Sequence, residues 1–157
     1  MQVRLLRSSD AKGANELLRQ LGYDMPVKEL ASRIARVLDA KTHFAAVAEQ
    51  GRSVVGLVHA YERPALEKSC QAVVQSLIVD RHLRGGGAGR LLMASVETWA
   101  RSQGLTHVVL HTGVERDDAR AFYEHLGYPS HEQGTRGPLN GLPRGSESSG
   151  LSAGSRD

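Results

Sequence analysis

The sequence predicts an α/β fold in which helices flank one mixed, largely antiparallel sheet. Along most of the chain, segments in which apolar residues form strand-like runs alternate with segments in which they recur at helical spacing. A compact turn at 50–52 separates two strand-like runs, which is typical of an antiparallel hairpin. A glycine-dense turn at 85–89 follows a third such run and leads into a helix. With 157 residues, the chain has the length of one ordinary domain.

The first half of the chain is predicted to contain one strand, two helices and the hairpin. Two serines and an aspartate at 8–10 offer side-chain oxygens that can cap the first helix. Pro26 suits the start of the second helix, where a missing N–H carries no cost. The predicted segments are a strand at 2–6, helices at 10–21 and 26–40, and strands at 43–49 and 53–61.

The second half continues with a strand, the glycine-dense turn, a helix, a strand and a final helix. The predicted segments are a strand at 70–79, a helix that begins at Leu91 and ends near Gly104, a strand at 106–112 and a helix capped by Asp117 or Asp118. Apolar residues recur at helical spacing in both helices. These residues are Leu92, Val96, Trp99 and Ala100 in the first, and Ala119, Phe122, Tyr123 and Leu126 in the second.

The composition changes after Tyr128. Roughly half of the last 29 residues are Gly, Ser or Pro, and such a segment buries too little apolar surface to offset its ordering entropy. We therefore expect a folded domain at 1–128 and a disordered tail at 129–157. The residues after Tyr128 do not have the pattern of an apolar strand pair, so the final strand pair of the sheet could be missing.

Charge and cysteine content exclude several classes of function. Lys and Arg number 20 against 17 Asp and Glu, a balance of +3 that suits a small anionic ligand. No basic patch interleaved with aromatic residues accompanies this charge, so no nucleic-acid partner is predicted. Cys70 is the only cysteine, and the histidines have no metal-ligand spacing, so we predict no metal. No apolar run is long enough to cross a membrane, and a cytoplasmic protein is expected.

The segment 84–90, which we call the glycine turn, has the features of an anion site. Glycines let backbone N–H groups approach a ligand, and the first N–H groups of a helix have no intrahelical partner. Arg84 and Arg90 add two charges. The segment is neither a Walker loop, which needs Lys where Arg90 stands, nor a G-x-G-x-x-G motif, which needs a third glycine at 90 or 91. The alternative is that the glycines only form a tight corner.

These residues resemble the GNAT (Gcn5-related) N-acetyltransferases. The acetyl-CoA motif of that family is Gln/Arg-x-x-Gly-x-Gly/Ala, and its fixed positions are filled here by Arg84, Gly87 and Gly89. A later family motif, Phe-Tyr-Glu-x-Leu-Gly-Phe/Tyr, is present at 122–128. The resemblance covers about residues 2–128. It implies an acetyl-CoA-dependent enzyme that transfers an acetyl group directly to a primary amine of a small molecule or a protein.

The resemblance also implies which residues hold acetyl-CoA. The pyrophosphate is expected on the backbone of the glycine turn, and the pantetheine arm on the backbone of the fourth strand where it separates from the fifth. The implied residues are Leu77, Ile78, Val79, Arg84, Gly85, Gly86, Gly87, Ala88, Gly89 and Arg90.

The catalytic residues are only partly indicated by the resemblance. It assigns Tyr123 as the general acid that protonates the leaving thiolate, a role suited to a phenol. Many relatives place a carboxylate on the fourth strand as the base, but here Gln75 stands where a glutamate is expected. Gln75 can position a water molecule but cannot take a proton. His111, or alternatively His59 or Glu62, remains a candidate base.

Two other functions remain open at this point. A non-catalytic acyl-CoA-binding module would keep the glycine turn without turnover, and the missing base and altered C-terminus motivate it. A protein-interaction domain would use the turn only as a tight corner. The motif around Tyr123 argues against this alternative. The acceptor amine is not identified, although four acidic residues near the expected pocket could attract a cation: Asp24, Glu29, Glu62 and Glu67. A homodimer is common in the family and compatible with the sequence.

Overall fold

The structure, a computed structural model, describes residues 1–110, 117–128, 130–131 and 134–138. Two single-turn 3-10 helices lie at Ser8–Asp10 and Arg81–Leu83. The described helices are α1 Ala11–Gln20, α2 Val27–Asp39, α3 Ala88–Ser102 and α4 Asp117–His125. The described strands are β1 Gln2–Leu5, β2 His43–Gln50, β3 Ser53–Arg63, β4 Gln71–Val79, β5 His107–Leu110, β6 Ser130–His131 and β7 Gly134–Pro138.

The strands form one sheet in the order β1-β2-β3-β4-β5-β7-β6. Every neighbouring pair in the described sheet is antiparallel except β4 and β5, which run parallel. The predicted hairpin is present: β2 pairs with β3 around Gly51, whose φ of +63° permits the tight turn. The predicted mixed, largely antiparallel sheet with flanking helices is thus confirmed.

Helices cover both faces of the sheet, because alternate residues of a strand point to opposite sides. On one face, Val47 packs in a cluster with residues of α1 and α2. On the other, its neighbour Ala48 packs with residues of α3 and with Tyr123 of α4. Both strand residues are fully buried, so β2 is a central strand sandwiched between two helical layers.

The predicted start of the third helix is wrong. The helix α3 begins at Ala88 rather than Leu91. The reason is that Gly87 adopts a left-handed φ of +88° and acts as the N-cap, so the helix starts at the next residue. Ala88, Gly89 and Arg90 therefore belong to the first turn of the helix and not to a loop.

The final strand pair that the sequence left in doubt is present. β7 pairs antiparallel with β5, and β6 pairs with β7, so the sheet continues to Pro138, beyond the predicted domain end at 128. Strand pairing uses backbone N–H and C=O groups, which residues of low hydrophobicity also supply. The tail was predicted to be disordered over 129–157. Residues 139–157 lie outside the described residues, so their disorder stays a prediction.

Candidate functional site

The edge of β4 beyond its described pairing with β5 is where the pantetheine arm is expected. Among the described residues, β4 pairs with β5 at Ala72–Val74, and five further residues of β4 follow. The described part of β5 ends at Leu110, opposite Val74. At this point the register between β3 and β4 shifts, and Gln75 is the extra residue. Such a bulge bends a strand and increases its twist.

The residues expected to hold the pantetheine arm lie along this edge. Leu77, Ile78 and Val79 pair with β3 on one side, and the described residues of β5 do not pair with them on the other. An extended segment in this position offers backbone N–H and C=O groups to a ligand that enters beside it, as an added strand would. The edge therefore has the geometry to bind an amide-containing chain.

The glycine turn connects this edge to α3. Asp80 precedes it and accepts a hydrogen bond of 2.9 Å from the N–H of His82, which holds the pKa of Asp80 below its usual range. Gly85 and Gly87 have φ values of +83° and +88°, which other residues rarely adopt. The N–H of Gly86 donates to the carbonyl of Leu83 over 3.2 Å. The turn is thus compact and needs glycine for its backbone path.

The end of the glycine turn has the electrostatics of an anion site. Ala88, Gly89 and Arg90 form the first turn of the 15-residue α3, where backbone N–H groups have no intrahelical acceptor. The helix dipole adds partial positive charge at the same place. The side chains of Arg84 and Arg90 are exposed on either side. A phosphate or pyrophosphate would meet backbone donors and two guanidinium groups here.

The two sequence motifs meet through a glycine. A Cβ atom at Gly89 would lie 2.8 Å from Cζ of Phe122, which is closer than side chains tolerate. Only glycine therefore lets α4 approach the start of α3 this closely. Next to Phe122, the ring of Tyr123 makes an edge-to-face contact with it at 5.3 Å between centroids. Tyr123 is only 8% exposed, and it lies in the core cluster beneath the glycine turn's helix.

A second tyrosine in the same motif has a different environment. Tyr128 is 1% exposed, and its hydroxyl donates a hydrogen bond to the carboxylate of Glu97 on α3. Burial, followed by this bond, raises the pKa of Tyr128 far above the usual value. Glu97 also pairs with Arg101 over 3.5 Å. The hydrogen bond between Tyr128 and Glu97 joins the segment after α4 to α3 and has a structural role. The sequence did not indicate it.

A half-open pocket, which we call the apolar cavity, lies on the opposite face of the sheet. It has a volume of about 360 Å³ and lies between the α1–α2 layer and strands β2, β3 and β4. Leu30, Ile34 and Leu57 are among its buried apolar walls. His59 and Gln75 form a polar end together with Ser76, next to Val74, the last described residue of β4 that pairs with β5. A molecule at this end of the cavity would therefore lie close to the edge of β4.

The polar end contains a pair of histidines on adjacent strands. Nε2 of His59 and Nδ1 of His43 share a hydrogen bond of 2.9 Å, and the rings stack with centroids 5.2 Å apart. The ring of Tyr61 stacks on His43 at 5.5 Å. Burial, with a smaller contribution from the charge of His43, lowers the pKa of His59 to about 4. His59 is thus a neutral imidazole at neutral pH.

The structure brings together some of the predicted catalytic residues. Gln75 lines the apolar cavity at the strand bulge, near His59. Glu62 is not among the residues that line it. His111 falls outside the described residues, so its predicted role stays a prediction. The pairing of His59 with His43 was not predicted, because it joins residues that are 16 positions apart on two strands.

The described residues contain neither a metal cluster nor a membrane-spanning helix. No group of three or more His, Cys, Asp or Glu side chains that could hold a metal ion is found among them. None of the helices in this part of the chain is long and apolar enough to span a membrane.

Comparison with known proteins gives a consistent result. A family model described as "Acetyltransferase (GNAT) family" matches residues 12–128. The chain is 27% identical over 144 residues to a glucosamine 6-phosphate N-acetyltransferase of Trypanosoma brucei brucei, covering 87% of this chain and 94% of that protein. It is 36% identical over 92 residues to N-alpha-acetyltransferase 80 of Mus musculus, covering 59% of this chain. The match spans only 26% of the mouse protein.

Solved structures share the fold at low sequence identity. An aminoglycoside N-acetyltransferase in complex with CoA matches with a TM-score of 0.76 and 18% identity. The match covers 84% of this chain and 90% of that one. At this identity the likeness is one of fold.

Proposed function

Because this chain belongs to the GNAT family of acetyltransferases, we propose that it transfers the acetyl group of acetyl-CoA directly to a primary amine of a small molecule or a protein. The observation that carries this proposal is the contact between Gly89 and Phe122. This contact supports the proposal because it packs the start of α3, where the pyrophosphate is proposed to bind, against the helix that carries the buried Tyr123. A protein-interaction domain that used the glycine turn only as a corner would have no need for this arrangement.

Acetyl-CoA fits two features of the described chain. Its pyrophosphate suits the backbone N–H groups at the start of α3, with Arg84 and Arg90 alongside. Its pantetheine amides suit the edge of β4 at Leu77–Val79. These are the residues that the family motif implies, and this assignment remains part of the proposal. The bound molecule supplies an activated thioester.

The reaction requires two proton movements besides the exchange of bonds. A C–N bond forms to the acetyl carbon as its C–S bond breaks, the amine nitrogen loses a proton, and the thiolate sulfur gains one. Tyr123 is proposed as the donor to sulfur, because phenols are protonated at neutral pH and more acidic than water. Its burial beside α3 excludes bulk water as a competing donor.

His59 is proposed as the acceptor of the amine proton, in place of a carboxylate on β4. It lines the apolar cavity and its neutral imidazole has a free electron pair for a proton. Its Nε2 and Nδ1 of His43 share a hydrogen bond, and in the tautomer in which Nε2–H of His59 donates, Nδ1 of His59 keeps a free electron pair. A proton taken at this Nδ1 can be relayed when the Nε2 proton moves to Nδ1 of His43. Gln75 lies beside His59 and can orient the amine or a water molecule.

The alternative is a non-catalytic acyl-CoA-binding module. The described strand β4 contains no carboxylate, which favours this alternative. Both functions predict acetyl-CoA binding, but only the enzyme releases the CoA thiol when a primary amine is added. The two are therefore separated by turnover and not by affinity.

Replacing Tyr123 by Phe tests the proposed enzyme. We expect kcat to fall by about 100-fold, the lower range for loss of a general acid, with the affinity for acetyl-CoA unchanged. Thiol release measures kcat, and calorimetric titration measures affinity. Tyr128→Phe is the matched control, since Tyr128 bonds to Glu97 and is not proposed to contact the thioester. Full turnover by Tyr123→Phe would contradict the assignment of Tyr123, and absence of turnover in the wild type would favour the binding module.

A further inference from the structure

The apolar cavity has mainly aliphatic walls and a short polar end. Its walls are built mainly from aliphatic side chains of α1, α2 and the sheet, of which Leu30, Ile34 and Leu57 are buried. Hydrogen-bonding side chains at its sheet end belong to His59, Gln75 and Ser76. Apolar walls favour an apolar ligand, because burial removes both surfaces from water. The polar end can orient one polar group of that ligand.

Charged groups are nearly absent from the walls. Arg33 is the only Asp, Glu, Lys or Arg among the lining residues of the described chain, and its guanidinium pairs with Glu29 one helical turn away. Asp24 pairs with Arg19 over 3.2 Å and is not a lining residue. No carboxylate of the described residues lines the cavity. The acidic residues that the sequence suggested for attracting a cation are therefore placed elsewhere or paired.

This distribution disfavours two kinds of acceptor. A polycationic amine would bury several ammonium groups without a carboxylate to pair with them, which costs free energy. A phosphorylated amine would need donors for its phosphate, but the only guanidinium in the lining is already paired with Glu29. The volume of about 360 Å³ lies near the lower end of the roughly 300–1,000 Å³ typical of small-molecule pockets. It suits one compact molecule.

Building on the acetyltransferase function proposed above, we infer that the acceptor is a small primary amine with an apolar body, such as an arylalkylamine. The body packs against Leu30, Ile34 and Leu57, and the nitrogen lies at the polar end beside His59. The groups there are neutral, so they accommodate an uncharged nitrogen, which is the form that attacks a thioester. The nitrogen then lies near Gln75 of β4, two residues before the stretch Leu77–Val79 that is proposed to bind pantetheine.

The first test compares three amines on the full-length chain. The probes are 2-phenylethylamine, glucosamine 6-phosphate and neamine, and kcat/KM is measured by release of the CoA thiol at saturating acetyl-CoA. We expect kcat/KM to be at least about tenfold higher for 2-phenylethylamine, since tenfold corresponds to 1.4 kcal/mol of differential binding in the transition state. Preference for either polar amine, or turnover of none of the three, would overturn the inference.

A second readout does not depend on turnover. In NMR spectra of methyl-labelled chain with CoA present, 2-phenylethylamine should shift the methyl signals of Leu30, Ile34 and Leu57. The other two amines should leave these signals in place. Shifts confined to methyl groups outside the apolar cavity would place the amine elsewhere and contradict the inference.

A pair of adjacent residues on α2 provides a matched test by substitution. Val37 lines the apolar cavity, whereas Leu38 is 45% exposed and does not. Val37→Glu should lower kcat/KM for 2-phenylethylamine by at least about tenfold, because it adds a carboxylate to the apolar wall. Leu38→Glu should leave it unchanged, and both variants should bind acetyl-CoA as the wild type does. Equal turnover by Val37→Glu and the wild type would count against the inference.

The outcomes also separate this inference from the function on which it rests. If the wild type does not bind acetyl-CoA, the acetyltransferase proposal fails. If it binds acetyl-CoA and acetylates a polar amine best, only the inferred acceptor class fails.

Discussion

The proposed acetyl-CoA site and the apolar cavity lie on either side of the same strand, β4, but they are built from different parts of the chain. The first uses backbone groups of one continuous stretch, from Leu77 to Arg90. The second uses side chains from α1, α2 and three strands. A site made of consecutive backbone groups leaves a local pattern in the sequence, whereas a cavity between elements leaves none. The ligand of the first site was therefore easier to infer than that of the second.

The two sides also differ in how they would select a ligand. The glycine turn offers backbone donors and positive charge, which we propose bind the phosphate groups of CoA. The apolar cavity would select a ligand by its shape and its apolar surface, with hydrogen-bonding groups at one end. We infer that the first side has a general role shared with relatives and that the second side sets the acceptor.

The largest effect is expected from a charge placed in the glycine turn. Gly87→Glu adds a side chain at a φ of +88° and a negative charge where the pyrophosphate is proposed to bind. The affinity for acetyl-CoA, measured by calorimetry, should fall by at least about 100-fold, equivalent to about 2.7 kcal/mol.

The control for this variant lies at the far end of the same helix. Gly104 follows α3 with a φ of +74°, so Gly104→Glu introduces comparable backbone strain away from the turn. We expect Gly104→Glu to bind acetyl-CoA as the wild type does. If both variants bind equally well, the glycine turn is only a structural corner.

A smaller effect is expected from a methyl group at the contact between the two motifs. Gly89→Ala places a Cβ 2.8 Å from Cζ of Phe122, so the ring of Phe122, or α4 with it, must shift away from α3. Overpacking of this kind typically costs about 1–3 kcal/mol of unfolding free energy, which urea denaturation can measure. The shift of Tyr123 should also lower kcat more than it weakens acetyl-CoA binding.

A second substitution can restore the packing. Phe122→Leu removes the ring that Gly89 contacts, so the double variant Gly89→Ala, Phe122→Leu should lose less stability than the sum of the two single variants. Strict additivity would show that the motifs are not coupled through this contact.

The features that the sequence predicts well are those built from consecutive residues. The glycine turn, the sheet class and the helix that carries Tyr123 are encoded by neighbouring residues, and the sheet and that helix were predicted correctly. The start of α3 was misplaced by three residues, because the left-handed conformation of Gly87 is not determined by the glycine alone. β7 was left in doubt because its pairing depends on backbone groups that nearly every residue supplies, whatever its hydrophobicity.

The apolar side was harder to predict for a physical reason. The bond between His59 and His43 requires the hairpin register, and the cavity also requires the packing of α1 and α2 over that hairpin. Neither follows from spacing along the chain. In the sequence, four acidic residues near the expected pocket could attract a cation: Asp24, Glu29, Glu62 and Glu67. Only the folded structure shows that the described walls of the apolar cavity contain no carboxylate.

The smallest effect concerns pH on the apolar side. The pKa of His59 is about 4 in the folded state and near 6.5 when unfolded. Between these values the unfolded chain binds more protons, so the contribution of His59 to stability is complete above about pH 6.5 and falls as the pH is lowered toward 4. The free energy of unfolding in urea should therefore decrease from pH 7 to pH 5, and less so in His59→Gln.

An exposed histidine provides the comparison for this effect. His125 at the end of α4 is exposed, so His125→Gln should keep the pH dependence of the wild type. If His59→Gln and the wild type lose the same stability between pH 7 and pH 5, His59 is not held neutral by burial. Its proposed role as proton acceptor would then lose its structural basis.

The central claim is that the glycine turn and the edge of β4 form an acetyl-CoA site. Calorimetric titration of acetyl-CoA into the full-length wild-type chain at pH 7 tests this claim most directly. The account predicts saturable binding to one site per chain, with CoA competing for it through the shared pyrophosphate and pantetheine. A folded chain that produces no binding heat, and whose thermal unfolding temperature acetyl-CoA leaves unchanged, would contradict it.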